Sequence, residues 1–204
     1  MTAASMIRRW RSHPPAAAAL LFCALLAPPV KHVLDASMTA QMLVQMPLLA
    51  YVGWLLRRAL PERLLSVTAA WNHGGIAGLV LTSVAAALWM LPRSLDAAVA
   101  LPWVAAAKYL SVPLLIGVPL AVSWPRAGFI VRGVFLLEFV ATSYRLGWLY
   151  LSWPERLCSN YLLGDQQRLG EYLVLIGAAL CAAIGCKLLW GRFDSGRVYG
   201  GADA

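Results

Sequence analysis

Charged residues are scarce in this chain of 204 residues. They make up 13% of the sequence, whereas about 25% is typical of soluble globular domains. Hydrophobic residues, by contrast, make up 61%. This composition excludes an ordinary soluble domain and predicts an all-α, polytopic transmembrane helix bundle that is surrounded mostly by membrane lipid.

The sequence also lacks the short motifs of common enzyme sites. It contains no Gly-x-Ser-x-Gly, no His-Glu-x-x-His and no glycine-rich phosphate loop, and its four cysteines follow no metal or redox spacing. We therefore expect a protein that is not an enzyme. The net charge of +8 forms no basic face with interleaved aromatic residues outside the membrane, so no nucleic-acid partner is expected.

Six apolar runs are each near the roughly 20 residues that span a bilayer. Little sequence remains for a domain outside the membrane, so residues 1–204 are predicted to form a single transmembrane domain. We expect the first run to be kept as a signal anchor. In the last external connection, residues 152–171, Gly164 and Asp165 are predicted to form a turn and cap before the last helix. The runs cover residues 14–33, 38–56, 71–91, 97–122, 129–151 and 172–190.

The basic residues near the ends of these runs predict the orientation. Eleven fall on one side and four on the other, which places both termini in the cytoplasm by the positive-inside rule. We therefore expect a multi-pass protein of the bacterial inner membrane. The eleven are Arg8, Arg9, Arg11, Arg57, Arg58, Arg63, Arg126, Arg132, Lys187, Arg192 and Arg197, and the four are Lys31, Arg93, Arg156 and Arg168.

A stripe of methionine and glutamine side chains marks the second run. At about 100° per residue, Met38, Gln41, Met42, Gln45 and Met46 fall within an arc of roughly 140°. Such a stripe is expected to face a metal ion, a neighbouring helix or a partner subunit. Thioether sulfur is a ligand for Cu(I), although methionine is also a common filler of irregular cores.

Further candidate copper(I) ligands are predicted at the external face. His32 lies across a short turn from the start of the second run, Met90 ends the third run, and Cys158 lies in the last external connection. Together with Met38 and Met42 they form a possible metal site, but no diagnostic spacing supports it, so a packing role stays open. The remaining cysteines lie within the apolar runs.

Two ionisable residues fall deep within the apolar runs, Lys108 in the fourth and Glu138 in the fifth. Each lies about 9 to 12 residues from the external face in antiparallel neighbours, so their depths match and we expect them to pair. Charge inside a membrane is by default a functional hypothesis, such as a proton or ion path. A structural ion pair is the alternative.

Three segments resemble the bacterial membrane-integral cytochrome c oxidase assembly factors, polytopic proteins implicated in copper delivery to haem-copper oxidases. They are the run from Met38 to Trp54, WNHGG at residues 71–75 and WMLPRSLD at residues 89–96. The resemblance covers the second and third runs. Where that family tends to carry a His-Met-x-x-His-like pattern, this chain has Gln41 and Met46, which leaves a stripe with thioether ligands alone.

The resemblance implies a protein that assists the assembly of, or copper supply to, a respiratory or other copper enzyme. Two alternatives stay open. The protein could be a structural accessory subunit of a larger membrane complex, in which the stripe is a docking surface. It could instead be a small transporter that uses Lys108 and Glu138.

Overall fold

The computed structural model describes residues 14–158 and 160–190, and within these ranges every element of secondary structure is helical. This confirms the expected all-α bundle. Nine helices follow one another along the described chain. They are α1 Pro14–Leu26, α2 Pro28–Asp35, α3 Met38–Ala59, α4 Glu62–Trp71, α5 His73–Met90, α6 Pro92–Ala100, α7 Pro102–Ser123, α8 Phe129–Ser152 and α9 Leu163–Trp190.

Four of these helices, α3, α5, α7 and α9, are long and apolar enough to cross a membrane, and α1 with α2 adds a fifth span if this pair, bent by 67°, is counted as one. The bend lies at Ala27, whose extended backbone is typical of a residue before proline. The described chain thus provides four or five spans rather than the predicted six. α8 explains the difference: its 24 residues suffice in length, but it carries Arg132, Glu138 and Arg145.

The start of α3, the end of α5 and the start of α9 share one end of the bundle. We name it the external end, after the orientation that the basic residues predict. Five of those residues lie outside the described ranges, and the orientation stays a prediction. The five are Arg8, Arg9, Arg11, Arg192 and Arg197.

Helices α3 and α7 cross in close contact. A Cβ atom on Gly53 would lie 2.0 Å from the carbonyl oxygen of Pro113, and one on Gly117 would meet the backbone of α3 as closely. Both positions therefore require glycine. Each helix also contains a π-helical segment, Gln41–Gln45 in α3 and Val112–Gly117 in α7, and such segments are frequent at functional sites.

Asp165, in the first turn of α9, connects the α8–α9 hairpin to the start of α3. The Asp165 carboxylate accepts hydrogen bonds from the backbone N–H of Met38 and from the hydroxyl groups of Ser37 and Thr39. The first N–H groups of a helix need acceptors of this kind. The sequence predicts Asp165 as the cap of its own helix, whereas the structure shows that it caps α3.

The turn between α4 and α5 is held against the end of α7. The buried side chain of Asn72 donates to the Ser123 hydroxyl at 2.8 Å and accepts from the backbone N–H of Gly78 at 3.0 Å. Gly74 and Gly75 have φ angles of 61° and 73°, in the left-handed region that favours glycine. These contacts fix where α4 ends relative to α5 and α7.

Candidate functional site

The stripe of methionine and glutamine side chains on α3 faces the interior of the bundle. Gln41 and Gln45 have no exposed surface, and Met38, Met42 and Met46 are at most 9% exposed. The stripe is therefore covered by other parts of the described chain. The two glutamine amide groups form hydrogen bonds with polar side chains, whereas Met42 Sδ lies beside a tyrosine hydroxyl.

Lys108 is buried on α7 and pairs with Asp35 rather than with Glu138. Its Nζ lies 3.5 Å from Asp35 Oδ1 and donates a hydrogen bond of 2.7 Å to Gln45 Oε1. The predicted Lys108–Glu138 pair is therefore wrong, and the transporter hypothesis loses the pair on which it was based. Matched depth fixes only the position along the membrane normal, and these side chains point in different directions around their helix axes.

Asp35, Gln45, Lys108 and Tyr109 form a hydrogen-bonded group that we call the interior polar cluster. Gln45 Nε2 donates to Asp35 Oδ1 at 3.1 Å and to the Tyr109 hydroxyl at 3.0 Å. This hydroxyl donates to the backbone oxygen of Leu25 at 3.1 Å. Because buried charge is costly unless it is paired and hydrogen-bonded, the cluster determines how α1, α2, α3 and α7 meet.

Gln41 extends this polar region along α3. Its Oε1 accepts a hydrogen bond from the Tyr161 hydroxyl at 2.8 Å, and that hydroxyl also lies 3.2 Å from the backbone oxygen of Asp35. Burial, followed by the negative charge of Asp35, raises the pKa of Tyr161, so this phenol remains a donor at neutral pH. Gln41 Nε2 is the one buried side-chain nitrogen or oxygen without a hydrogen-bond partner among the described residues.

Three of the five predicted copper ligands lie in one buried hydrophobic cluster. Met38, Met42 and Cys158 are at most 4% exposed, and Met90 packs against the edge of this cluster. His32 is exposed on α2 and lies outside it. Within the described ranges no group of three or more His, Cys, Asp or Glu side chains could hold a metal ion, so a copper site here would depend on thioether sulfur.

Two sulfur atoms of this cluster, those of Met42 and Cys158, already have polar neighbours. The Tyr150 hydroxyl lies 3.9 Å from Met42 Sδ and 3.3 Å from the backbone oxygen of Met90. The Cys158 thiol donates to the backbone oxygen of Pro92 at 3.3 Å. Burial, followed by the charge of a nearby aspartate, raises the pKa of Cys158 to about 11. Because the thiolate is the metal-binding form, copper at this position must displace the thiol proton.

Glu138 and Arg145 form a second ion pair, on the outer surface of α8. Their charged groups lie 3.1 Å apart, and the side chains are 52% and 67% exposed. Both residues are at least about 10 Å from either end of the helix, at 1.5 Å per residue. Val134, Leu137 and Trp148 are also exposed on this helix. The pair therefore lies at mid-helix among exposed apolar side chains.

The sequence does not single out four residues that take part in these contacts. They are Asp35, Tyr109, Tyr150 and Tyr161. Asp35 does give a signal, because it is the only acidic residue before Glu62 and it precedes the stripe closely. A lone acid beside a polar stripe, with a lysine predicted inside the membrane, indicates an ion pair. The tyrosines give no comparable signal, because tyrosine is enriched at membrane boundaries in general.

The apolar helices and the buried polar groups define a helical membrane protein. No protein-family model, curated protein or solved structure matches the chain. The resemblance to oxidase assembly factors stays an expectation. The features of the molecule that bear on its function are the two ion pairs and the buried sulfur atoms.

Proposed function

We propose that this protein is a non-enzymatic subunit or assembly factor that binds a larger membrane complex through the outer surface of α8. The observation that carries the proposal is the Glu138–Arg145 ion pair, exposed at mid-helix among apolar side chains. We place α8 in the membrane as the fifth of the spans that the sequence predicts, although its charged residues set it apart from the four apolar helices. Charged side chains within a membrane almost always face a protein interior or a water-filled cavity. A partner helix packed on α8 supplies such an interior.

The exposed pair also suits the way helices associate in lipid. Because lipid tails are as apolar as the side chains they contact, association depends on close packing and on interhelical hydrogen bonds. Glu138 offers a partner helix acceptor oxygens, and Arg145 offers N–H donors. The resemblance in the second and third predicted runs favours a respiratory or other copper enzyme of the bacterial inner membrane as the partner.

Co-purification of the tagged protein at native abundance tests this proposal. Replacing Glu138 and Arg145 together by Leu strands neither charge, so the protein should stay folded while the co-purified complex is lost. Arg168→Leu with Glu171→Leu is the matched control, because these exposed residues of opposite charge lie near the start of α9. Retention of the complex by the Glu138/Arg145 variant would contradict the proposal.

A second candidate function, copper supply, is favoured by the clustering of Met38, Met42 and Cys158 beside Met90. Soft sulfur ligands select Cu(I). The purified protein should compete with a chelator for Cu(I) under reducing conditions. Replacing Met38 and Met42 by Leu should abolish binding while costing under about 1.5 kcal/mol in packing, and Met46→Leu should retain it. Failure of the wild-type protein to compete would eliminate this candidate.

A further inference from the structure

Helix α4 is a short helix that the rest of the described protein leaves uncovered. It connects α3 to α5, two helices that can cross a membrane, and so it lies at the membrane boundary. Every residue of α4 whose burial is described is exposed, except the half-buried Leu65. Leu64, Val67 and Trp71 are 52%, 58% and 82% exposed, and they fall within an arc of about 60°.

This apolar stripe needs a cover that the described chain does not supply. With ten residues, α4 is shorter than the roughly 12 to 15 residues below which isolated helices are marginal in water. It therefore depends on a surface that buries Leu64, Val67 and Trp71. Amphipathic helices with Trp and Leu on one face meet this need by lying in the plane of the membrane interface, the depth at which tryptophan is enriched.

The basic residues around α4 define the chemistry of that surface. Arg57 and Arg58 precede the helix, Arg63 lies in its first turn, and Glu62 is the single acidic residue of this segment. Arg126 lies in the turn after α7, which packs against the turn at the end of α4. We propose that α4 lies in the bilayer interface and binds the head groups of anionic lipids through Arg57, Arg58 and Arg63.

This proposal is independent of the partner surface on α8. A basic residue near an anionic membrane surface favours the bound state by about fivefold, so three arginines give α4 a measurable preference for anionic lipid. The apolar stripe supplies attachment to any bilayer, and the arginines supply the selectivity. The two contributions can therefore be separated by changing the lipid while keeping the stripe unchanged.

Hydrogen–deuterium exchange of the amides in residues 62–71 tests the proposal on the full chain reconstituted in nanodiscs. Nanodiscs of phosphatidylcholine alone are compared with nanodiscs that also contain phosphatidylglycerol. Exchange should be slower with the anionic lipid. The ratio of the exchange rates in the two kinds of nanodisc measures the preference for anionic lipid. Replacing Arg57, Arg58 and Arg63 by Gln should lower this ratio by up to about fivefold for each arginine removed.

The matched control replaces three arginines at the external end, Arg93, Arg156 and Arg168, by Gln and should leave the difference unchanged. Glycerol phosphate added to phosphatidylcholine nanodiscs should not slow exchange, because the proposed ligand is a head group held in a bilayer. Equal exchange in the two kinds of nanodisc would overturn the proposal. Slower exchange with glycerol phosphate, or an unchanged lipid difference in the variant that lacks Arg57, Arg58 and Arg63, would also overturn it.

Discussion

Two ion pairs in this protein use the same chemistry in opposite surroundings. The Lys108–Asp35 pair lies inside the bundle, where the two side chains are 1% and 16% exposed and Gln45 forms hydrogen bonds with both. The Glu138–Arg145 pair lies on the outer surface, and both of its members belong to α8. One pair connects different helices, and the other connects two turns of a single helix.

This difference separates a role in folding from a role in recognition. The Lys108–Asp35 pair joins segments that are far apart in sequence, and the loss of one partner leaves an uncompensated charge in the interior. The Glu138–Arg145 pair is local to α8, so its loss separates no segments of the fold. The outer pair is therefore free to serve a partner, whereas the inner pair belongs to the fold.

The largest effect is expected from Lys108→Met. The substitution keeps an unbranched side chain but strands the Asp35 carboxylate and leaves Gln45 Oε1 without its donor. The free energy of unfolding should fall by about 3 to 5 kcal/mol, measured by denaturant unfolding in detergent.

The double variant Lys108→Met with Asp35→Asn provides the control. It removes both charges, so it should recover much of the stability that Lys108→Met loses. Equal losses in the single and double variants would show that the pair is not the source of the effect. The Lys108–Asp35 pair would then contribute as little to the free energy of unfolding as we expect of the Glu138–Arg145 pair.

At alkaline pH, ionisation of the buried Cys158 thiol would also place an unpaired charge in the interior of the protein. Its pKa is raised from an ordinary value of 9.0 to about 11 in the folded protein, so the folded state holds the thiol proton more tightly than the unfolded state. This stabilisation is complete below about pH 9 and is lost as the pH rises towards 11. It corresponds to roughly 2 to 3 kcal/mol.

Unfolding of the wild-type protein and of Cys158→Ala between pH 8 and 11, values that bracket the pKa shift, measures this loss. The variant should lose less stability over the range, because it has no thiol to ionise. Parallel curves for the two proteins would mean that the thiol ionises as readily in the folded state as in the unfolded state.

The smallest effect is expected from replacing Glu138 and Arg145 together by Leu. The free energy of unfolding in detergent should change far less than it does for Lys108→Met, because both residues belong to α8 and their pair holds no other helix. The same unfolding assay applies. A loss as large as that of Lys108→Met would remove the distinction between the two pairs.

Composition predicts the helical class, and periodicity predicts that the α3 stripe occupies one face of its helix. The sequence leaves open whether that face meets a neighbouring helix or a partner subunit, and the structure shows that it is buried. The sequence also predicts that Met38, Met42 and Cys158 lie in one region, because the ends of the helices place them at one end of the bundle. These inferences need only the position of each residue along a helix and the face that it occupies.

The partner of Lys108 could not be obtained in this way. Depth along the membrane normal matches Lys108 to Glu138, but the rotation of each helix about its axis depends on packing. The close crossing at Gly53 and Gly117 brings α3 and α7 together, and the bend at Ala27 precedes the short helix that carries Asp35. The bend follows locally from the proline after Ala27, but the crossing of α3 and α7 is tertiary, so the local pattern does not predict which side chain Lys108 meets.

The cap that Asp165 places on α3 gives the final hairpin a part in the biogenesis of the protein. A ribosome releases Met38 into the membrane 127 residues before it releases Asp165. During that interval the start of α3 lacks its carboxylate acceptor. Until α9 is made, the Ser37 side chain alone caps this helix start, so the contact with Asp165 forms late in the folding of the chain.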